Sequence, residues 1–276
     1  MDGRTALPLR AFWALWLLVG MGTAGLGGCT TLTQEEEKYV ERPAEELYDR
    51  AMALLAGKEF VKAAKAFEEV ERQHPYSRLA VKSEIMAAYA YYQAADYDAA
   101  VAAAERFIDL HPGHRDVPYA QYLIGISYYE QISDVGRDQG MTQKALDALT
   151  TLVRRFPESE YARDARLKID LVHDHLAGKE MEVGRFYQRR GEYVAAVNRF
   201  RTVVEKYQTT THVPEALHRL VECYLALGLE EEARRTAAVL GYNFPNDKWY
   251  ARSYALLQGK PLPEGERSWL SSLWPF

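Results

Sequence analysis

Cysteine is scarce in this chain, which has only Cys29 and Cys223 among its 276 residues. A disulfide framework, the usual support of a small exported domain, needs more cysteines than this. Cys223 occurs in the pattern LHRLVECYLALG, where it falls on the apolar face of a predicted helix. A buried cysteine that acts as a small hydrophobic residue is the ordinary interpretation of such a position.

Signatures of catalysis and of nucleic-acid binding are also missing. The formal net charge is -5, and no basic block suggests a nucleic-acid partner. His111 and His114 flank a proline, and His173 and His175 share a predicted helix, but neither pair has a third ligand at a metal-site spacing. The sequence has no phosphate loop, nucleophile elbow or paired carboxylates. It therefore predicts neither an enzyme nor a cofactor site.

Long apolar runs are absent after residue 28, and the first 28 residues differ from the rest. Arg4 and Arg10 form a short positive start, and the apolar run AFWALWLLVGMGTAG follows. This run is too short, and too soon followed by small residues, for a membrane span. We therefore predict that residues 1–28 are a cleaved lipoprotein signal peptide.

The stretch Leu26-Gly27-Gly28-Cys29 resembles a bacterial lipobox, in which small residues let a peptidase reach the backbone. Cys29 then becomes the first residue, with diacylglycerol on its sulfur and an acyl chain on its nitrogen, and can form no intrachain disulfide. Two or more chains give stable anchoring, where one is marginal. In similar lipoproteins, a residue such as Thr30 in place of aspartate implies the periplasmic face of the outer membrane. Residues 29–42 are predicted to be a flexible linker.

Helical patterns broken by glycine and proline fill residues 42–257, and five segments share one template. In repeats one to five, the small position of the first helix is occupied in turn by Ala51, Ala88, Gly125, Gly184 and Val221. The second helix of each repeat carries an alanine at one fixed position, which is in turn Ala63, Ala100, Ala145, Ala196 and Ala233. The pattern resembles the tetratricopeptide repeat, whose helix pairs bury their faces only by stacking. We predict an all-α, right-handed superhelical solenoid of five helix pairs.

The third and fourth repeats depart from the regular spacing. The small residue and the alanine lie 12 positions apart in four repeats but 20 apart in the third, which predicts a longer loop at 132–139. Between repeats three and four, about 14 extra residues amount to nearly four helical turns. We predict one long helix from about Ser159 to Arg190. It divides the array into repeats one to three, residues 43–158, and a C-terminal part, residues 159–257.

A stripe beside the small residue of each first helix lines the concave groove of tetratricopeptide arrays. In repeats one to three it is aromatic and apolar, and its candidate binding residues are Tyr48, Met52, Tyr89, Tyr92, Tyr122, Ile126 and Tyr129. Tyrosines offer large, fairly rigid area together with hydroxyl groups, which suits an extended peptide with apolar side chains. The alternative is that these tyrosines only pack against neighbouring helices.

The tail at residues 258–276 lies outside the predicted repeats. Pro261, Pro263 and Gly265 interrupt it, and Trp269, Leu270, Leu273 and Trp274 would share one face of a helix. An apolar end of this kind docks on the last repeat, on a partner or at the membrane interface.

The lipobox and the five repeats, with RFPESEYARDARLKIDLV and GEYVAAVNRF, resemble the BamD family of outer-membrane β-barrel assembly lipoproteins over about residues 29–245. The resemblance implies that repeats one to three receive unfolded outer-membrane proteins through a C-terminal, aromatic-rich signal strand. It implies that the C-terminal repeats dock on the POTRA region of the barrel subunit BamA, with Asn198 and Arg199 as contacts. Other lipoproteins of the same machine are further implied partners.

Two other functions fit a lipid-anchored repeat array. A pilotin-like lipoprotein would carry secretin subunits to the outer membrane, although such proteins more often keep a uniform repeat period. A scaffold that binds peptidoglycan or cell-wall enzymes is the third possibility.

Overall fold

The computed structural model describes residues 41–260, which form eleven α-helices and, within that range, no strand. The helices pair in chain order, and their bounds are α1 (Ala44–Ala56), α2 (Phe60–Gln73), α3 (Arg78–Gln93), α4 (Tyr97–Leu110), α5 (Val117–Glu130), α6 (Gly140–Arg155), α7 (Glu160–Arg189), α8 (Tyr193–Lys206), α9 (Val213–Ala226), α10 (Glu230–Asn243) and α11 (Lys248–Leu257). Each helix packs against the next one in the chain, and α3 and α5 also contact the first helices on either side. The predicted all-α tetratricopeptide solenoid is confirmed.

Local sequence signals set several helix starts. Ser77, Asp96, Ser159 and Asp247 are N-caps whose side chains accept a hydrogen bond from a backbone N–H in the first turn. Proline occupies the first turn of α5 and α9, where its missing N–H costs no intrahelical bond. Capping side chains and first-turn prolines thus define where these helices begin.

Close contacts between paired helices explain the small residues of the template. A Cβ added at Gly125 would lie 2.5 Å from Leu149 Cδ2, and one added at Gly184 would lie 2.5 Å from Phe200 Cε1. Leu149 and Phe200 are fully buried and occupy the apolar position four residues after the template alanine. The glycine therefore makes room for the large side chain of the second helix.

The long helix α7 runs from Glu160 to Arg189, with Ser159 as N-cap and Arg190 as C-cap, as predicted. Its first half packs on α5 and α6, and its second half pairs with α8. The extra residues of the third repeat form a loop between Glu130 and Gly140.

The eleventh helix, α11, was not predicted as a separate element. It packs on α9 and α10, with Tyr250 against Gly241 and the Ser253 hydroxyl 2.8 Å from His218 Nδ1. It covers the apolar face that the last repeat would otherwise expose. The predicted leader, Cys29 and the apolar cluster of the tail lie outside the described residues.

Candidate functional site

Five tyrosines from the helices α3, α5 and α7 form a continuous aromatic surface, the tyrosine cluster. Its members are Tyr89 and Tyr92 of α3, Tyr119 and Tyr122 of α5, and Tyr161 of α7. The ring of Tyr161 lies 5.2 Å from that of Tyr119 and 5.4 Å from that of Tyr122, between centroids. All five side chains are half-buried, so each keeps part of its surface open to solvent.

A polar chain runs through the cluster. The Tyr122 hydroxyl donates a hydrogen bond of 2.5 Å to Asp164 Oδ2, and Lys168 Nζ lies 3.5 Å from the same oxygen. The Lys168 ammonium also lies 4.9 Å from the ring centroid of Tyr129, within cation–π range. These contacts fix Tyr122 and Tyr129 across the gap between α5 and α7.

Two phenols of the cluster, Tyr119 and Tyr122, have raised pKa values. Burial raises the pKa of Tyr119 well above its usual value, and the neighbouring rings of Tyr89, Tyr161 and Tyr92 raise it further. Burial also raises the pKa of Tyr122, and its hydrogen bond to Asp164 acts in the same direction. The Tyr119 hydroxyl therefore remains protonated at neutral pH and can donate to a backbone carbonyl of an extended chain, whereas the Tyr122 hydroxyl already donates to Asp164.

The other predicted groove residues lie apart from this cluster. Tyr48 is buried, with its ring 5.6 Å from Phe67 and Lys82 Nζ 4.9 Å above it. Met52 is exposed on the same helix, and Ile126 is buried in the core between repeats two and three. Tyr48 and Ile126 thus belong to the core behind the predicted groove. The other predicted residues keep part of their side chains exposed to solvent: Met52, Tyr89, Tyr92, Tyr122 and Tyr129.

Sequence reasoning missed Tyr119 and Tyr161. Tyr119 precedes Tyr122 by three residues, so it extends the predicted stripe by one helical turn. Tyr161 lies in the first half of α7, which belongs to no regular repeat and has no template position. The aromatic pattern could have indicated Tyr119, whereas only the packing of α7 on α5 reveals Tyr161.

The predicted partner contacts, Asn198 and Arg199, lie on α8, and both are exposed. Arg199 Nη1 lies 3.2 Å from Glu180 Oε2 of α7, so the guanidinium is already held in one orientation. Both side chains are partly solvated, and such an ion pair adds little to stability. Its effect is to position a cation on the surface of the fourth repeat.

The first helices of the C-terminal repeats carry a buried polar network where the N-terminal ones carry tyrosines. Glu222, fully buried, accepts hydrogen bonds from Gln188 at 2.8 Å and from Arg219 at 2.9 Å. Arg185 reaches Glu215 at 3.1 Å. These polar side chains therefore face one another, and the two halves of the solenoid differ in chemistry.

Residues 41–260 offer neither a metal site nor a membrane-spanning helix. No group of three or more His, Cys, Asp or Glu side chains in this range is arranged to hold a metal ion. None of the helices there combines the length and the apolar character that a membrane span requires. The fold and the aromatic surface together define a tetratricopeptide-repeat scaffold.

Comparison with known proteins gives this scaffold a family. Residues 40–240 match the family model YfiO, described as outer membrane lipoprotein. The chain is 49% identical to the outer membrane protein assembly factor BamD of Caulobacter vibrioides over 95% of this chain and 83% of that protein. The chain belongs to the BamD family.

Further relatives carry the same name. The Rickettsia prowazekii protein is 46% identical over 84% of this chain and 92% of its own length. The Neisseria meningitidis serogroup A protein is 36% identical over 86% of this chain and 94% of its own. Among solved structures, the tetratricopeptide domain of P58(IPK) superposes with a TM-score of 0.41 at 14% identity, over 78% of this chain and 56% of that one. As a family member, the chain is an outer-membrane protein assembly factor of a Gram-negative bacterium and is not an enzyme.

Proposed function

We propose that this chain is a lipid-anchored component of the outer-membrane β-barrel assembly complex. Its tyrosine cluster receives unfolded outer-membrane proteins through their aromatic-rich C-terminal signal strand. Its C-terminal repeats dock on the POTRA region of BamA, with Asn198 and Arg199 at the contact. The matched relatives do not favour the pilotin alternative.

The tyrosine cluster is the observation that carries the client-binding proposal. An extended client strand has apolar side chains on one face and unpaired backbone carbonyls along its edge. The exposed parts of Tyr89, Tyr92 and Tyr119 offer aromatic area to the former, and the Tyr119 hydroxyl can donate to the latter. Aromatic contacts of this type provide affinity without a fixed client sequence, which suits a factor that serves many barrels.

Replacing Tyr89 and Tyr122 together by alanine tests the binding surface. We expect the dissociation constant for a labelled C-terminal peptide of a barrel protein to rise by roughly tenfold or more, because aromatic anchors dominate such contacts. Fluorescence anisotropy on the purified full-length protein measures this constant, and circular dichroism shows whether helicity is retained.

Tyr242→Ala is the matched control, since Tyr242 is a largely exposed tyrosine on α10, remote from the cluster. Its peptide affinity should equal that of the wild type. The conservative change Tyr122→Phe removes only the hydrogen bond to Asp164, so it provides a second test if the alanine variant does not fold. Unchanged peptide affinity in a folded double variant refutes the proposed surface.

Lipidation of Cys29 is the second part of the proposal, and the lipobox supports it. The Cys29→Ser variant cannot accept diacylglycerol, so it should move from the outer-membrane fraction to the soluble periplasmic fraction. Cys223→Ser is the matched control and should stay with the membrane. A Cys29→Ser protein that still sediments with outer membrane, even after a salt wash, is anchored by something other than lipid.

A further inference from the structure

The last described helix, α11, matches the start of a sixth helix pair. The small residues of neighbouring regular repeats lie 37 positions apart, and the same interval counted from Val221 gives Gln258, directly after α11. Tyr254 and Leu257 then occupy the positions four and one before the small residue, where tetratricopeptide repeats carry tryptophan and leucine. A first helix of this kind pairs with the helix that follows it in the chain.

The residue four before the small residue faces the second helix of its own pair. Glu84 of α3 has its Oε2 atom 2.9 Å from Nε2 of His111, the residue that ends α4. Glu180 of α7 accepts a hydrogen bond of 3.2 Å from Arg199 of α8. A side chain at this position of a repeat is therefore covered by the next helix along the chain.

Tyr254 lacks such a cover. It is 52% exposed, whereas the corresponding residues of repeats one, two, three and five are at most 8% exposed; these are Leu47, Glu84, Gln121 and Leu217. Ser253 is the only residue of α11 that is buried, whereas α9, the first helix of repeat five, buries nine. Tyr254 and the half-buried Leu257 lie one helical turn apart, and we call the surface that they form the open face of α11.

The sequence after α11 carries an apolar pattern in the matching register. In the regular repeats the second-helix alanine lies 12 residues after the small position, and the apolar residue lies four further on. The same count from Gln258 gives Leu270 and Trp274. Polar and apolar residues alternate in pairs over residues 267–274, RSWLSSLW, which is the pattern of a two-faced helix. A helix this short is marginal in water, so its apolar face needs a partner.

We infer that residues 267–276 dock on the open face of α11 as the second helix of a short sixth pair. Leu270 and Trp274 then lie against Tyr254 and Leu257. The intervening residues 258–266 can span roughly 30 Å when extended, well beyond the separation of about 8–10 Å between the axes of packed helices. The tail therefore reaches this face without strain.

The polar face of the tail favours this position over a membrane surface. It consists of Arg267, Ser268, Ser271 and Ser272 and so offers one cation, whereas helices that lie on a bilayer are rich in lysine and arginine there. A docked tail turns these serines to solvent and ends the stack in a polar surface, which repeat arrays need for solubility. This inference depends neither on client binding nor on docking to BamA.

Two variants of the purified full-length protein test the docking by hydrogen exchange and mass spectrometry. Leu270→Asp with Trp274→Asp places two charges on the apolar face of the tail. We expect amides of residues 251–257 to exchange roughly tenfold faster than in the wild type, because the open face loses its cover. Tyr254→Asp changes the other side of the contact and should speed exchange over residues 271–275 by a similar factor. Peptides from α2 should exchange at the wild-type rate in both variants, which shows that the solenoid is intact.

Ser268→Asp with Ser272→Asp is the matched control, since it adds the same charge to the polar face of the same segment. Its exchange over residues 251–257 should equal that of the wild type. If the Leu270 and Trp274 variant does not fold, the Tyr254→Asp protein decides the question alone. Wild-type exchange over 251–257 in a folded apolar-face variant, or over 271–275 in Tyr254→Asp, overturns the inference.

The two other occupants of the open face give distinct results. Exchange over residues 251–257 that slows as the protein concentration rises means that a second copy covers the face. Protection of residues 271–275 only when phosphatidylglycerol vesicles are added assigns the tail to the membrane. Either result overturns the inference and leaves the proposed function standing.

Discussion

Individual tyrosines in this solenoid serve two purposes that the residue type alone does not separate. Tyr48 is buried against Phe67, whereas Tyr119, of the same residue type on a comparable helix, keeps surface in the tyrosine cluster. The difference arises from the neighbouring repeat: Tyr119 meets Tyr161 from the long helix, while Tyr48 lies against its own second helix. Which tyrosine can contact a client is therefore decided by packing.

Cys223 gives a prediction at the same scale. Burial, together with the adjacent Glu222, raises the pKa of its thiol to about 12 from an ordinary value of 9.0. At pH 8 only about one thiol in ten thousand is then ionised, because the pH lies about four units below the pKa. In a Cys29→Ser protein, a maleimide should label Cys223 very slowly at pH 8 and stoichiometrically after unfolding in guanidinium.

The same pKa shift predicts how stability depends on alkaline pH. A thiol pKa that is higher in the folded state than in the unfolded state stabilises the protein fully below about pH 9. This contribution is lost as the pH rises from about 9 towards 12. The midpoint of urea unfolding should fall more over this interval in the wild type than in Cys223→Ala. Rapid labelling of the native thiol at pH 8 would contradict the buried position.

Single residues also show how far sequence reasoning reaches. The repeat template places Gly125 and Gly184 at the small position of a first helix, and in the structure each meets a large side chain of the second helix. The ion pair between Arg199 and Glu180 has no such signature. The two residues are 19 positions apart on different helices, and only the angle between α7 and α8 brings them together.

Among the elements, α7 is the helix that contains the extra residues between repeats three and four. Its extra turns keep the same face inward, so the array continues without a break across the insertion. Near its middle, Asp174 Oδ1 accepts hydrogen bonds from the backbone N–H of Thr211 at 3.1 Å and from its hydroxyl at 2.9 Å. The helix thus holds the turn before α9 as well as the loop at 131–139, where Lys179 donates to the Gly136 carbonyl.

Asp174→Ala should release the turn before α9. The loss of the two Thr211 hydrogen bonds should lower the free energy of unfolding by about 1–2 kcal/mol, since Asp174 is partly solvated. Hydrogen exchange followed by mass spectrometry should show faster exchange in peptides that contain Thr211.

Asp170→Ala, one turn earlier on the same helix and exposed, is the matched control and should leave that exchange rate unchanged. Equal exchange near Thr211 in the Asp174 variant would mean that the turn is held by its own packing.

Some of these helices could be predicted from the sequence, and others could not. The long helix follows from counting, because an insertion of nearly whole turns within a proline-free stretch has one simple solution. The helix α11 does not, because the template ends with the second helix of repeat five and a terminal capping helix has no partner to define its pattern. The contacts of Tyr250 with Gly241 and of Ser253 with His218 identify α11 as part of the stack.

At the scale of the whole molecule, the described chain is one stack with chemically different halves. The first helices of repeats two and three expose tyrosines, whereas those of repeats four and five bury ion pairs around Glu222. The two proposed functions use different halves, so each should be separable by mutation. Continuous packing through α7 means that a variant in one half still requires an intact stack.

Arg199→Glu tests this separation. The change places two acidic side chains face to face, because Glu180 lies 3.2 Å from the Arg199 guanidinium, and it reverses the charge offered to the partner. We expect recovery of BamA in a pull-down from solubilised membranes to fall by roughly tenfold, while affinity for the client peptide is kept. Arg201→Glu is the matched control, since it also breaks an ion pair of α8, with Glu205, and leaves Arg199 in place. The double variant Tyr89→Ala with Tyr122→Ala should show the opposite result, with lost peptide affinity and normal BamA recovery. If both variants lost both partners, client binding and docking would share one surface, and the division between the two halves would be wrong.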